Sequence, residues 1–249
     1  MMESELLAFL GVGFLAELID GALGMAYGVT STSYLLGLGL PPAAASVSVH
    51  FSEVFTTAAS GAAHWRLGNV DVAMCRRLAA TGMAGGAAGA YLLTALPGSI
   101  VRPCVAAYLL AMGLVILRNG LRPGDVFAKL TGPELSGLGA AGGFLDALGG
   151  GGWGPIVTST LMARGGEPRR AIGTVNCAEF FVTVAAATTF FLTVDSFHWT
   201  AIGGLIGGGL LAAPVAARLT SRVPPRLLAV LVGLLIVGLS CANLAAALG

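Results

Sequence analysis

The sequence predicts an all-α polytopic membrane protein of two inverted repeats, each a glycine-broken helical hairpin followed by three transmembrane helices. Three observations predict it. The first is composition. The 249 residues are 56% hydrophobic and only 10% charged, with a mean hydropathy of +0.87, whereas a soluble domain carries roughly 25% charge. So few charges cannot cover a soluble globule, and long apolar stretches between short polar ones read as membrane spans. The ~10-residue alternating segments of a β-barrel are absent from the sequence. The second is a repeat. "DGALGMAYGVTSTS" (20–33) aligns without a gap on "DALGGGGWGPIVTST" (146–160) at an offset of 126. Asp20 falls on Asp146, Gly24 on Gly150, Tyr27 on Trp153 and Gly28 on Gly154. The register continues through Pro42 on Pro168, His50 on Asn176 and Glu53 on Glu179, which marks an internal duplication. The third is the placement of the basic residues, which sorts to one side only if the copies are inverted.

Each element follows from local pattern. Residues 5–23 are apolar and helix-like until Glu17 and Asp20 interrupt the end, and Gly24 and Gly28 break the stretch that follows. The run 28–38 stops at "GLGLPP", so neither piece is a comfortable span of about 20 residues. Pro42 opens a helix over 42–63. "HWRLGNVD" is a polar loop, and spans follow at 72–95 and 101–118, joined by "LPGS". The linker "RNGLRPGDVFAKLTGPE" separates the halves. The second half repeats the plan with a helix over 134–149, the break "GGGGWGP", a short run 153–163 ending at "ARGGEPRR", and spans at 170–192, 199–217 and 226–247. The expected organisation is an N-terminal repeat 1–119 (broken hairpin 5–38), a cytoplasmic linker 120–133, and a C-terminal repeat 134–249 (broken hairpin 134–163). The glycine-rich stretches 82–90 and 203–209 suit close helix–helix contact.

Charge sets the expected topology. If each broken hairpin returns to the side it entered, each half makes three crossings and the halves are inverted. Loops 64–77, 118–134, 164–170 and 218–226 then share a side. They hold every lysine and arginine except Arg102. The positive-inside rule makes that side cytoplasmic and puts both termini outside. If each broken element is a single span, the basic residues divide almost evenly. The inverted arrangement therefore wins, with re-entrant hairpins and pairs of short crossings both left open. A bacterial plasma membrane location, with no separate signal peptide, follows as the expectation.

The broken tips carry the expected site. A glycine break in mid-membrane leaves backbone groups unpaired, which is tolerable only around a cavity or ligand. Inverted repeats with discontinuous helices are a signature of secondary transporters. A helix starting at such a break points its free N–H groups at an anion. The expected substrate-binding residues are Gly24, Tyr27, Gly28, Thr30, Ser31 and Thr32 from the first tip. From the second come Gly150, Gly151, Gly152, Trp153, Gly154, Thr158 and Ser159, with Asn176 behind. The competing reading is that the glycines serve helix packing alone. His50 and Glu53 lie on one helix face, ~12–17 Å in from Pro42 and so near the bilayer centre; Glu179 matches Glu53. Ionisable groups at that depth are costly and usually functional. His50, Glu53 and Glu179 are therefore expected to carry coupling protons, with a purely structural pairing as the alternative. Asp20 and Asp146 are expected to structure the tips by bonding nearby amides. Glu17 falls on Gly143 and has no counterpart. Cys75, Cys104, Cys177 and Cys241 show no metal spacing. "HFSE" is not HExxH, and no GK[ST] is present. No catalytic residues, metal or cofactor are expected. The net charge of +1 gives no hint of nucleic acid. The expected partners are the lipid bilayer, a small anion, protons, and a second copy in a homodimer.

The second tip "ALGGGGWGPIVTSTLMARGG" (147–166) and the following "PRRAIGTVNCAEFF" resemble the TauE/SafE sulfite exporter family, the TSUP-type permeases. In the first half "LPPAAASVSV" and "SGAAHWRLGNVD" are similar to that family's helix and loop after the tip. The resemblance covers nearly the whole chain. It implies a permease for a sulfur-containing anion such as sulfite, sulfate, thiosulfate or an organosulfonate, ion-coupled rather than ATP-driven. One half would rock on the other about a midplane site. The first tip, "GALGMAYG", departs from the family's glycine run. The alternative is a proton- or metal-coupled cation carrier, because the intramembrane residues are rich in acids and contain no lysine or arginine.

Overall fold

Helices account for nearly every described residue of the computed structural model, which covers 2–121, 130–164, 167–195, 197–219 and 225–248. Residues 122–129 of the linker and parts of loops 164–170, 192–198 and 218–226 lie outside it, with Arg122, Lys129 and Arg222. The first half contains α1 (Met2–Leu23), α2 (Tyr27–Gly37), α3 (Pro42–Arg66), α4 (Val72–Ala95) and α5 (Gly98–Leu121). The second contains α6 (Gly132–Gly149), a π-helical turn (Gly154–Thr158) running into α7 (Ser159–Ala163), then α8 (Pro168–Thr193), α9 (Trp199–Leu219) and α10 (Pro225–Leu248). No strand occurs among the described residues.

Local chemistry starts these helices. Proline opens α3, α8 and α10, where its fixed φ suits the first turn and its missing N–H costs nothing. Asp71 caps α4 by accepting the Met74 amide at 3.0 Å. Ahead of α6, Glu134 Oε2 accepts both the amide and the hydroxyl of Thr131 at 2.8 Å.

Among the described residues, four stretches are long and apolar enough to cross a membrane: Val72–Ala95, Gly98–Leu121, Arg170–Thr193 and Ala229–Ala247. α3 is as long, but its buried face is polar, with Ser46, Ser48, His50, Ser52, Glu53, Thr56 and Thr57 all turned inward. The chain is thus a multi-pass helical membrane protein.

The halves interleave. α1 packs on α9 of the other half, and α6, its counterpart, packs on α4 of the first. α3 packs on α8 and α5 on α10, so the pattern is unchanged when the halves are exchanged. The exchanged contacts depend on missing side chains. A Cβ at Gly85 or Gly89 of α4 would strike the carbonyls of Ala140 and Phe144 on α6; one at Gly208 of α9 would strike that of Leu10 on α1. Two bundles result, α1–α3–α9 and α4–α6–α8, each drawing helices from both halves and meeting along α3 and α8. Two separate halves rocking on each other do not describe this packing.

Candidate functional site at the crossing of two broken helices

The breaks face each other at the centre. α1 ends with the Gly24 amide on the Asp20 carbonyl at 2.5 Å, and α6 ends with the Gly151 amide on the Asp146 carbonyl at 2.8 Å. Left-handed backbone carries the chain through both turns. Gly24 (φ 65°) and Ala26 (φ 94°) do so in the first, Gly150, Gly151 and Gly152 (φ 73°, 142° and 146°) in the second. Each aspartate then bonds forward seven residues. Asp20 Oδ1 accepts the Tyr27 amide at 3.3 Å, and Asp146 Oδ1 accepts the Trp153 amide at 2.9 Å.

The tips also bond each other reciprocally. Thr32 Oγ1 donates to the Gly150 carbonyl, and Thr158 Oγ1 donates to the Gly24 carbonyl at 3.2 Å. Thr32 and Thr158 are themselves partners at the offset of 126. Each hydroxyl satisfies a carbonyl that the opposite helix end leaves without an intrahelical partner. A Cβ at Gly28 would meet Gly151 Cα at 2.7 Å, and one at Gly154 would meet Met25 Cα at 2.7 Å. Glycine at positions 28, 151 and 154 therefore permits backbone contact between the halves. The tips touch, and two leading amides are held by aspartates.

Tyr27 and Trp153 diverge. The Tyr27 hydroxyl donates to the Leu205 carbonyl at 3.2 Å, and the ring lines a cavity. Trp153 is fully buried, donates to the Val175 carbonyl at 3.3 Å, and wedges against Gly82 and Gly142 away from that cavity. Thr30 and Ser31 are buried, and their hydroxyls have no partner among the described residues. Ser159 accepts the Asn119 side-chain amide at 2.9 Å and packs on Met25 Sδ at 3.9 Å.

The titratable groups form two groups flanking the tips. On one side, His50 Nε2 lies 3.2 Å from Asp146 Oδ2, and His50 Nδ1 lies 2.8 Å from the Ser46 carbonyl. Donor atoms of His50, Glu53 and Asp146 all fall within 4.8 Å of one another. On the other side is a cavity of about 10 Å³, room for no more than one water. Glu17, Asp20, Glu53 and Glu179 line it together with Asn176 and Tyr27. A wider cleft of about 460 Å³ lies beside α7 and carries Arg118, Asn119, Ser159 and Arg164.

Sequence reasoning left Glu17 without a role, and the structure puts it in the acid cavity. It missed Tyr108, which packs on Gly149 and Gly152, and Asn243, whose amide donates to the Ser33 carbonyl at 2.9 Å. Neither stands out in an apolar span. The reciprocal threonine bonds were signalled by the match of Thr32 to Thr158, which the repeat alignment contains.

The family described as "Sulfite exporter TauE/SafE" matches residues 9–243. The chain is 43% identical over 237 residues to a Bacillus subtilis (strain 168) protein described as "Probable membrane transporter protein YtnM". That alignment covers 92% of this chain and 79% of the other. No solved structure matches. The family match runs through both broken tips and the acid-bearing helices α3 and α8, and the chain belongs to the sulfite exporter TauE/SafE family.

Proposed function

We propose that this protein is a secondary permease of the bacterial inner membrane for a small sulfur-containing anion: sulfite, sulfate, thiosulfate or an organosulfonate. The observation that carries the reading is the reciprocal crossing of the two broken helices, Thr32 to Gly150 and Thr158 to Gly24, in a chain of this transporter family. Broken helices meeting at the midplane of a duplicated fold are how such permeases build a site. The repeats are inverted and both termini lie outside, as the arginine-rich loops require. Alternating access parts the tips. The moving bodies are the exchanged bundles α1–α3–α9 and α4–α6–α8, with the seam between α3 and α8. The anion enters by the arginine-bearing cleft beside α7 and takes the amides and hydroxyls of Tyr27, Gly28, Thr30, Ser31 and Thr32 opposite Gly150–Gly154, Thr158 and Ser159. Asp20 and Asp146 hold the leading amides in the closed form and yield them to the anion. Protons on His50, Glu53 and Glu179 offset the charge that moves.

A second reading, a cation carrier, is favoured by one observation: the small cavity is lined by four carboxyl groups and by no lysine or arginine.

Purified protein in liposomes separates the two. Uptake of sulfite, sulfate, thiosulfate or a small sulfonate, accelerated by a pH gradient, is expected. Glu53→Gln is expected to flatten the pH dependence of that uptake. Flux of a divalent cation with no anion flux rejects the anion reading. An unchanged pH profile in Glu53→Gln removes that residue from the proton path.

A further inference from the structure

The duplication supplies an internal comparison. The offset of 126 relates the set Asp146, His50 and Glu53 to the set Asp20, Asn176 and Glu179. The first set closes on itself. The Ser46 carbonyl can only accept, so His50 Nδ1 carries a hydrogen. Nε2 then faces Asp146 Oδ2 at 3.2 Å, and one proton must lie between these two acceptors. The His50–Asp146 pair therefore shares one proton, a single positive charge set between two acceptors that leaves the pair neutral overall.

The second set lacks that charge. Asn176 cannot bind a proton. Its Nδ2 donates to Ser60 Oγ at 2.9 Å, and its Oδ1 has no partner. Glu53 Oε2 has none either, and both residues are only 2% exposed. Both line the acid cavity, to which α1 adds Glu17. The second copy has Gly143 at that position, where a Cβ would strike the Gly82 carbonyl. Two orphaned acceptors, three further carboxyl groups and the hydroxyls of Thr56, Thr57 and Ser60 thus surround a space of about one water. A metabolite does not fit there, and a small ion does. Every side-chain donor is oxygen, which suits a hard cation over zinc or copper. The symmetric place holds a single positive charge, so one monovalent ion replaces it.

We propose that the cavity between Glu53, Asn176 and Glu179 is a sodium site, standing where the other copy holds the His50–Asp146 proton. Its role as a coupling ion rests on the permease reading; its binding does not. Protons on the same carboxylates compete with it.

The test is the melting temperature of the purified full-length protein at fixed ionic strength, with sodium chloride replacing choline chloride. A saturable rise with sodium, and none with potassium, is expected. Half-saturation should weaken about tenfold or more in Glu179→Gln. Asn176→His, which installs the imidazole of the first copy, should abolish the sodium response. Equal melting in sodium and choline overturns the site, as does a sodium response left intact by both variants, or a preference for calcium. Liposome flux separates the claims. Anion uptake indifferent to a sodium gradient overturns the coupling role and leaves the permease standing. Sodium stabilisation without flux of any anion supports the site and overturns the permease.

Discussion

Thr32 and Thr158 each close a carbonyl that the opposite tip cannot satisfy for itself. Thr→Val at either position keeps the shape and strands a buried acceptor, at a cost of about 1–3 kcal/mol. For a chain of this size the melting temperature should fall by roughly 2–4 °C per kcal/mol. The two single variants should cost alike, because the residues are symmetric partners; an effect in one alone would break the symmetry argument. Ala26 offers a second contrast. It sits at φ 94° where the other tip has Gly152 at φ 146°. Ala26→Gly relieves a left-handed alanine and should be tolerated. Gly152→Ala adds the same penalty and drives a Cβ into the Tyr108 hydroxyl, so folded yield should collapse. Equal yields from both would contradict this geometry. At this scale the sequence was partly legible. The match of Asp20 to Asp146 and His50 to Asn176 identified the polar positions. Their partners stayed hidden, because a linear repeat does not say which copy bonds to which.

Among the elements, the all-helical class was legible because apolar length and glycine breaks are local properties. Two features were not. The turn after the second tip is π-helical over Gly154–Thr158, and no local sequence signal marks it. The exchange of α1 and α6 between halves is a property of packing, and its only trace is the small residues on α4 and α9 that let the backbones close. Single cysteines in a background lacking Cys75, Cys104, Cys177 and Cys241 should be labelled from the cytoplasm in the 64–77 loop and from outside near 192–195. The reverse result for either loop would reject the inverted arrangement.

For the molecule as a whole, the interleaved packing decides what can move. A cut between the sequence halves would tear α1 from α9 and α6 from α4, whereas a cut along α3 and α8 leaves those contacts whole. Motion along that seam separates the tips, His50 from Asp146 and Asn176 from Ser60. Under the proposed mechanism, charge, binding and conformation then change together. The sequence showed that two tips exist and share a register. It did not show that they are locked together, since contacts of that range depend on the three-dimensional crossing. An anion that passes between the tips requires them to part. Met25 and Ser159 touch across the tips, with Ser159 Oγ 3.9 Å from Met25 Sδ. With both replaced by cysteine in the cysteine-free background, oxidation should join the tips and stop anion uptake into liposomes, and reduction should restore it. Full uptake by protein shown to be cross-linked would contradict the account.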